Sequence, residues 1–484
     1  MIRTVLAQRI TMLASLALCS GCFMAGADYV RPSATDLHVP SQWSKELSGE
    51  TAGGLDVADW WQHLGDAQLT SLVSRALAAS PDVEASSAKL REARAQRRLA
   101  GAELWPSVTL GGSGKYVDTS AASGTGEAQQ FYSAGFDASW EPDLFGGQRR
   151  AVEAARADVE AATANLHDVH VTLAAEVARN YVELRSLQAR VAIARANLAS
   201  QSETLDLTRW RVEAGLASSV DLEQARTNVE QTRATIPTLE TSRAEAEHRL
   251  ATLLGLDPGA LSDELAAAAP IPQIPEPLTT GIPADVLRQR PDVVAAERTL
   301  AAETARVGEA TAAKYPSLSL SGSLGPEALA IGALTNGSSI AASVAGNLTQ
   351  TIFDAGRIAS QIEVRDAIQE QALATYRTTV LTALQDVENA LVSLVKTRER
   401  TAALARGVDS ARNAAVLARQ RYAAGLIDFQ TVLDTERTVL TVEDSLTAAQ
   451  ANGAIAVIQL YKALGGGWSA TVEAAHGVQR EGRS

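Results

Sequence analysis

The sequence has 484 residues and a formal net charge of −13, and 46% of its residues are hydrophobic although only 4% are aromatic. The acidic balance argues against nucleic-acid binding, which needs a basic surface. Beyond the N-terminal segment no apolar run approaches the roughly 20 residues of a membrane-spanning helix, which excludes a helical membrane transporter. The many small apolar residues instead favour long helices packed closely side by side.

The N-terminus has the pattern of a targeting segment. A short apolar run at 10–18 follows two arginines, and small residues then lead to Cys22. This pattern resembles a bacterial lipoprotein signal, in which residues 1–21 are removed and Cys22 becomes the acylated first residue of the mature chain. A plain secretory signal is the alternative, because Cys19 stands where lipoprotein signals usually have Leu. Both cysteines lie in this segment, so the mature chain can form no internal disulfide.

After the signal we expect an N-terminal extended segment at 22–65 and then a first helix–hairpin–helix unit at 66–265. Its helices are predicted at 81–103, at 148–214 and, returning, at 219–254. The long middle stretch contains neither Gly nor Pro. At 1.5 Å per residue it predicts a helix of about 100 Å, longer than a single globular domain needs.

A second copy of this unit follows a Pro-rich connector at 266–290. The second unit occupies 291–468, with a long helix predicted at 357–424 and a returning helix at 429–464. The polar tail at 469–484 is predicted to be disordered.

The two units are related by an offset close to 210 residues, far longer than a solenoid repeat. Several motifs recur in the same order, which indicates that the chain is a duplicated unit. The matching pairs are Pro81-Asp82-Val83 with Pro291-Asp292-Val293, Trp105-Pro106-Ser107 with Tyr315-Pro316-Ser317, Arg211 to Leu216 with Arg421 to Leu426, and Leu254-Gly255 with Leu464-Gly465.

Each unit contains a predicted β-hairpin, at about 106–142 and about 315–350. Apolar and polar residues alternate with period two between Gly- and Ser-rich loops, a pattern typical of transmembrane β-barrels. Trp105 and Trp140 lie at the helix-side ends of the first pair of strands, where interfacial aromatics are expected. The alternative to a transmembrane location is that the strands form two soluble hairpins, each burying one face. Four strands cannot close a barrel, so a membrane location requires that the chain oligomerise.

These features together resemble the TolC-like outer-membrane efflux channels, in particular their NodT-type lipoprotein branch. The resemblance implies an α+β membrane protein that assembles as a homotrimer, with a twelve-stranded transmembrane β-barrel continuous with a long periplasmic α-helical barrel. It also implies a lipid-anchored passive duct of the outer membrane that needs no cofactor and catalyses nothing. Its partners would be a periplasmic adaptor and an inner-membrane pump. The motifs that carry the resemblance are the stretch 28–32, Trp60-Trp61, Arg290-Pro291-Asp292-Val293, Phe353 to Arg357, and the two Arg-x-x-x-Gly-Leu turns.

Those two turns are the first site that the resemblance implies, because such turns contact the adaptor in this family. A glycine there ends a helix in the left-handed conformation, and the following leucine offers an apolar contact. A turn that serves only to connect two helices is the alternative. The residues concerned are Arg211, Gly215, Leu216, Ala217 and Ser218 in the first turn, and Arg421, Gly425 and Leu426 in the second.

The second implied site is a periplasmic gate near the start of the last helix. Asp434 and Arg437 match the family's gating acid and base, and a local offset of 211 gives Glu223 and Arg226 as their counterparts. Gln430 stands where relatives often place an apolar constriction. The alternative is a surface ion pair worth a few tenths of a kcal/mol.

Other interpretations are weaker. His167 and His170 have the i, i+3 spacing of metal ligands, but no further ligands are evident, so no metal site is predicted.

The leading functional hypothesis is the outer-membrane duct of a tripartite efflux system for small molecules. The alternatives are the duct of a type I protein-secretion system and, from another class, a structural envelope lipoprotein or periplasmic adaptor.

Overall fold

The computed structural model describes residues 24–37, 39–43, 57–118, 128–272 and 288–468. The predicted signal, the acylation site Cys22, most of the Pro-rich connector and the C-terminal tail lie outside these ranges.

The helices begin and end within about one residue of the boundaries predicted in both units. The two long helices have 67 residues each, and the two returning helices have 35 residues each. None of the helices in the described ranges combines the length with the apolar character that a transmembrane helix requires. In chain order the helices are α1 (Ala67–Ala79), α2 (Pro81–Ala102), α3 (Gly147–Glu213), α4 (Ser219–Leu253), the single turn α5 (Ser262–Leu265), α6 (Pro291–Ala312), α7 (Arg357–Ala423) and α8 (Phe429–Ala463).

The two hairpins join into one antiparallel sheet with the strand order β1-β2-β3-β4. Its strands are β1 (Ser107–Asp118), β2 (Ala128–Trp140), β3 (Ser317–Ala328) and β4 (Ile340–Thr349). The glycine-rich stretch 108–116 was the least clear strand in the sequence, and it is paired along its whole length with β2. Strands β2 and β3 come from different repeats, so their pairing joins the two copies.

The pairing register separates apolar from polar side chains. Because side chains alternate along each strand, the residues aligned across the ladders share a face. One face carries Val108, Leu110, Phe136, Ala138, Trp140, Leu318, Leu320, Leu324, Ala342, Val344 and Leu348. The other face is rich in serine and carries mostly small and polar residues. Three pairs of its serine hydroxyls meet across the strands, with oxygen–oxygen distances of 2.7–2.9 Å: Ser107 with Ser139, Ser113 with Ser133, and Ser323 with Ser343.

The chain divides into two compact units, and both draw on both repeats. The first takes its described residues from Met1–Pro32, Lys89–Thr163 and Ala295–Arg377, and it contains the whole sheet. The second takes its described residues from Ser33–Ala88, Ala164–Val294 and Thr378–Ser484.

In the first unit the N-terminal segment lies against helices of both repeats. Arg150 is almost fully buried, and its guanidinium donates to the Ala25 carbonyl at 3.0 Å and pairs with Asp28 at 2.8 Å. The Tyr29 hydroxyl donates to the buried Glu297 carboxylate at 3.1 Å. The residues just after the predicted acylation site are therefore fixed in place.

In the second unit the main core forms around the predicted N-terminal segment. A short 3-10 helix at Trp60–Leu64 inserts Trp60, whose ring stacks on Tyr461 with centroids 5.3 Å apart. The sequence predicted an extended chain here, and burial of the tryptophan pair instead folds it into a turn of helix. Leu69 and Leu72 of α1 complete this face of the core and are fully buried.

Each returning helix ends beside the start of the shorter helix of its own repeat. A methyl group placed on Gly255 would lie 3.1 Å from the Cδ of Pro81. A methyl group placed on the equivalent Gly465 would lie 3.1 Å from the Cα of Arg290, which directly precedes α6. Both glycines have positive φ, a backbone conformation that ends the returning helix at this point.

Candidate functional site at the helix turns

The turn between α3 and α4 is built by a Schellman motif. Gly215 has φ 72°, and its N–H donates to the Val212 carbonyl at 3.0 Å. The Leu216 N–H donates to the Arg211 carbonyl at 2.7 Å, which completes the motif. Ser218 then starts α4 with a capping box. The Leu216 side chain is left 68% exposed.

The turn between α7 and α8 repeats this construction. Gly425 has φ 74°, and the Leu426 N–H donates to the Arg421 carbonyl at 2.9 Å. Asp428 caps α8 by accepting from the N–H and the hydroxyl of Thr431, and these hydrogen bonds lower the pKa of the Asp428 carboxyl. Leu426 is 73% exposed. The two turns therefore present equivalent apolar tips.

The arginines that precede the two glycines have different surroundings. Arg211 Nη1 donates to the carbonyls of Tyr422 and Ala423 at 2.6 and 3.2 Å, at the end of α7. Its Cζ lies 4.5 Å from the centroid of the Tyr422 ring. Arg421 is exposed, and its side chain has no hydrogen-bond or ion-pair partner among the described residues. Sequence reasoning assigned both arginines to the adaptor contact and missed this distinction.

The predicted gate residues lie near the start of α8, and both are exposed. Asp434 accepts a hydrogen bond from Gln430 Nε2 at 2.9 Å. Arg437 donates through Nε to Asn228 Oδ1 of α4 at 3.1 Å. Within the protomer the two side chains are thus engaged with other partners, so the simple i, i+3 surface pair does not form.

The structure corrects the counterparts assigned to this pair. The N-caps Ser218 and Asp428 are 210 residues apart, and both returning helices have 35 residues. The local offset is therefore 210 and not 211, and Asp434 and Arg437 correspond to Gln224 and Thr227. Glu223 and Arg226 instead form an exposed ion pair with each other, with a nitrogen–oxygen distance of 2.9 Å.

A buried carboxyl group lies next to the gate residues and was not predicted. Glu436 Oε1 accepts from the Thr204 hydroxyl at 2.6 Å, while its Oε2 is buried and has no hydrogen-bond partner among the described residues. Burial raises the pKa of Glu436, and the hydrogen bond from Thr204 and the charge of Arg419 offset part of this effect. One turn before Thr204 on α3, both side-chain amide atoms of Gln201 are also buried and have no hydrogen-bond partner in the described part of the chain. Glu436 follows Val432 by four residues and therefore shares its buried face, a signal that was available in the sequence.

The aromatic and histidine candidates lie elsewhere. Trp105 is 74% exposed just before β1. Trp140, at the end of β2, donates through its indole N–H to the Leu104 carbonyl at 3.0 Å. The ring of His167 stacks on Trp468 with centroids 4.3 Å apart. In the part of the chain that the structure describes, no group of His, Cys, Asp and Glu could hold a metal ion.

Comparison with known proteins agrees with the duplicated architecture. The family model for outer membrane efflux proteins matches residues 72–256 and again 282–466, so the two matches are offset by the same 210 residues as the repeat. The pyoverdine export outer membrane protein OpmQ of Pseudomonas aeruginosa is 35% identical over 473 residues, covering 94% of this chain and 97% of that protein.

Nodulation protein T of Rhizobium leguminosarum bv. viciae is 32% identical over 456 residues, covering 94% of this chain and 92% of that protein. Among solved structures, the outer-membrane channel OprN superposes with a TM-score of 0.86 at 35% identity, covering 92% of this chain and 99% of that one. These matches confirm the expected resemblance and its branch. The chain belongs to the outer membrane efflux protein family.

Proposed function

We propose that this outer-membrane efflux protein works as a homotrimeric passive duct. It receives small molecules from an inner-membrane pump through a periplasmic adaptor and releases them outside the cell. The observation that carries the proposal is the four-stranded sheet with one apolar face and two open edges. The family is one of channels and not of enzymes, and the duct is proposed to do no chemistry.

The apolar face of the sheet is exposed in the protomer. Val344 is 91% exposed and Leu348 69% exposed. A soluble protein rarely leaves such a continuous apolar surface uncovered. The strands have 10–13 residues, which suits the roughly 9–11 residues of a tilted transmembrane strand. We propose that the apolar face contacts membrane lipid and that the serine-rich face lines the lumen of the barrel.

The outer edges of β1 and β4 explain why the proposal requires several copies. Among the described residues no strand pairs with the outer side of β1 or β4, and unpaired backbone groups cannot be left in lipid. Pairing of β4 with β1 of the next protomer satisfies both edges at once. Three sets of four strands close a twelve-stranded barrel, which is the assembly that the resemblance implies.

The apolar tips at Leu216 and Leu426 are the proposed adaptor contacts, together with Gly215, Gly425 and the 217–218 segment. Each tip is held by a Schellman motif, so it is presented in one fixed conformation. The side chain of Arg211 is occupied by α7, which suggests that it supports the contact surface from behind. Trp105 and Trp140 are proposed to lie at the membrane interface.

Asp434 and Arg437 are the proposed gate. Both are exposed and neither is paired with the other, so they can reach symmetry copies near the pore axis. Charge pairs in a narrow, partly dry pore would hold the entrance closed. Gln430 stands where relatives often have an apolar residue, and it donates to Asp434, so the proposed gate is polar at this position.

Single-channel conductance in planar bilayers tests both the duct and the gate. Wild-type protein should show a small conductance, and the double variant Asp434→Ala/Arg437→Ala should show a larger one. The matched control is Lys396→Ala/Glu399→Ala, which removes an exposed i, i+3 pair on α7 and should conduct like wild type. A pore unaffected by the gate variant would keep the duct and reject the gate. Folded protein without conductance would favour a structural lipoprotein.

Lipid anchoring at Cys22 is part of the proposal. The chain should incorporate labelled palmitate and fractionate with the outer membrane, and Cys22→Ser should lose the label. An unlabelled wild-type protein that still reaches the outer membrane would support the plain secretory signal instead.

A further inference from the structure

The two Arg-x-x-x-Gly-Leu turns are equivalent in sequence and backbone, yet only one of their arginines is used within the chain. Arg211, in the first repeat, caps the carboxyl end of α7 in the second repeat through the Tyr422 and Ala423 carbonyls. Arg421 occupies the same place 210 residues later, and in the described part of the chain its side chain lacks a hydrogen-bond or ion-pair partner.

A closed ring of duplicated chains gives the second arginine a defined target. In such a ring each first repeat is followed by the second repeat of its own chain, and each second repeat by the first repeat of the next chain. The contact from Arg211 to α7 therefore has a counterpart across every boundary between protomers. On the basis of the proposed homotrimer, we infer that Arg421 caps the carboxyl end of α3 in the neighbouring protomer.

The 210-residue offset identifies the acceptor atoms. Tyr422 and Ala423 correspond to Val212 and Glu213, whose carbonyls end α3. The last carbonyls of a helix have spare acceptor capacity and favour a cation. In the capping contact that the structure contains, the Tyr422 carbonyl accepts from both the Gly425 N–H and Arg211. The Val212 carbonyl already accepts from the Gly215 N–H and has the same second lone pair available.

The chemistry of the two caps differs in two respects. Arg211 packs over an aromatic ring, whereas Arg421 would find Val212 in place of that ring. Glu213 stands where the other cap has Ala423, and it is exposed and makes no ion pair within the described residues. The contact between protomers therefore gains an ion pair and loses a cation–π contact, so it is more sensitive to salt than the contact within the chain.

Thiol cross-linking of the purified protein without adaptor tests whether these residues are adjacent. The variant Glu213→Cys/Arg421→Cys, treated with a short bis-maleimide, should give covalent dimers and trimers. The matched control Arg211→Cys/Ala423→Cys places the same pair within one chain, so it should cross-link without any increase in subunit number. The four single-cysteine variants measure any reaction through Cys19 or Cys22.

Native mass and heat resistance complete the test. A trimer in which the control pair links but the Glu213–Arg421 pair does not would overturn the inference and leave the duct intact. A monomeric protein would contradict the proposed function itself. The trimer of Arg421→Ala should dissociate at a lower temperature than wild type, that of Arg421→Lys at an intermediate one, and high salt should reduce these differences. An adjacent pair with unchanged heat resistance in Arg421→Ala would reject the cap.

Discussion

Gly26 and Gly308 meet backbone to backbone where the N-terminal segment crosses α6. A methyl group on Gly26 would lie 2.5 Å from the Cα of Gly308, and one on Gly308 would lie 2.9 Å from the Ala25 carbonyl oxygen. This contact brings the segment close enough for Arg150 to donate to the Ala25 carbonyl. Two glycines of distant parts of the chain thus determine how closely the segment around Gly26 approaches α6.

Gly308→Ala should therefore destabilise the protein by about 1–3 kcal/mol, because the added methyl group must displace backbone. Thermal unfolding monitored by circular dichroism measures the effect. The matched control is Gly101→Ala in α2, where a methyl group would meet no described atom within 4 Å apart from the backbone of its own helix and its chain neighbours. That change should stabilise the helix by about 0.5–1 kcal/mol. Equal unfolding temperatures for Gly308→Ala and wild type would contradict the close contact.

Asp66 connects two elements of the second unit. Its carboxylate caps α1 by accepting from the Gln68 and Leu69 N–H groups at 2.9 Å, and it also accepts from the Tyr181 hydroxyl at 2.8 Å. Burial, followed by this hydrogen bond, raises the pKa of Tyr181 to about 12. Asp66→Ala should cost about 2–3 kcal/mol, since it removes the cap and leaves a buried hydroxyl without an acceptor.

Tyr181→Phe should cost only about 1 kcal/mol, because the cap survives. Denaturant unfolding of the two single variants and the double variant gives the coupling. The double variant should be less destabilised than the sum of the singles. Strict additivity would show that the hydroxyl and the carboxylate do not interact.

The buried Glu436 predicts a pH dependence of stability near the gate. Its pKa is higher in the folded chain than the ordinary value of 4.5, so the folded state binds the proton more tightly. The Glu436 carboxyl therefore contributes most to the stability of the folded state at pH values below its pKa in the unfolded chain. This contribution is lost as the pH rises from the unfolded-state pKa to the higher folded-state pKa. Glu436→Gln should remove this slope and stabilise the protein at pH 7 by about 1 kcal/mol. Unfolding temperatures from pH 4 to 8, with gate conductance in parallel, provide the measurement.

Glu443→Gln is the matched control, because it makes the same change two turns further along α8. Glu443 accepts from Arg412 Nε at 2.6 Å and from Asn197 Nδ2 at 3.0 Å, so both its carboxylate oxygens are used. The control should destabilise at pH 7 by about 1 kcal/mol. Two variants with effects of the same sign would refute the assignment of Glu436 as an undersatisfied buried acid.

Arg290 should not tolerate replacement by lysine. Its guanidinium forms a two-point contact with Asp292 at 3.0 and 2.7 Å, donates to Asp386 at 3.1 Å and also reaches the Ala463 carbonyl at 3.0 Å. A lysine ammonium cannot match this planar arrangement. Arg290→Lys should lower the free energy of unfolding by about 2 kcal/mol.

The comparison for that variant is Arg75→Lys, at an exposed contact in which Arg75 Nη1 alone donates to both carboxylate oxygens of Glu264. Solvent screens that pair, so its replacement should change stability by less than about 0.5 kcal/mol. Similar losses in the two arginine variants, measured by denaturant unfolding, would mean that burial of Arg290 contributes little.

The sequence predicted the helices and hairpins well because their ends are marked by residues with strong local preferences. Gly215 and Gly425 end helices, and Pro81 and Pro291 begin them. The alternation of apolar and polar residues predicted which side chains of each hairpin share a face. The pairing of β2 with β3 depends instead on contacts between segments far apart in the chain.

The site was predicted less completely for the same reason. The offset of 211 came from matching an acid and a base three apart, whereas helix caps give the reliable alignment. The 3-10 helix at Trp60–Leu64 forms because the tertiary core buries Trp60, and its short length carries no periodic signal. The contact between Arg211 and Tyr422 joins two repeats and could be seen only in the folded chain.

The equal lengths of α3 and α7, and of α4 and α8, restrict how such a chain can change during evolution. One residue inserted in a single long helix would advance its tip by about 1.5 Å and rotate it by about 100°. That shift would leave one leucine tip out of line with the other and would move its helix cap away from the opposing arginine. Insertions and deletions in these helices should therefore be inherited in matched pairs, one in each half of the gene.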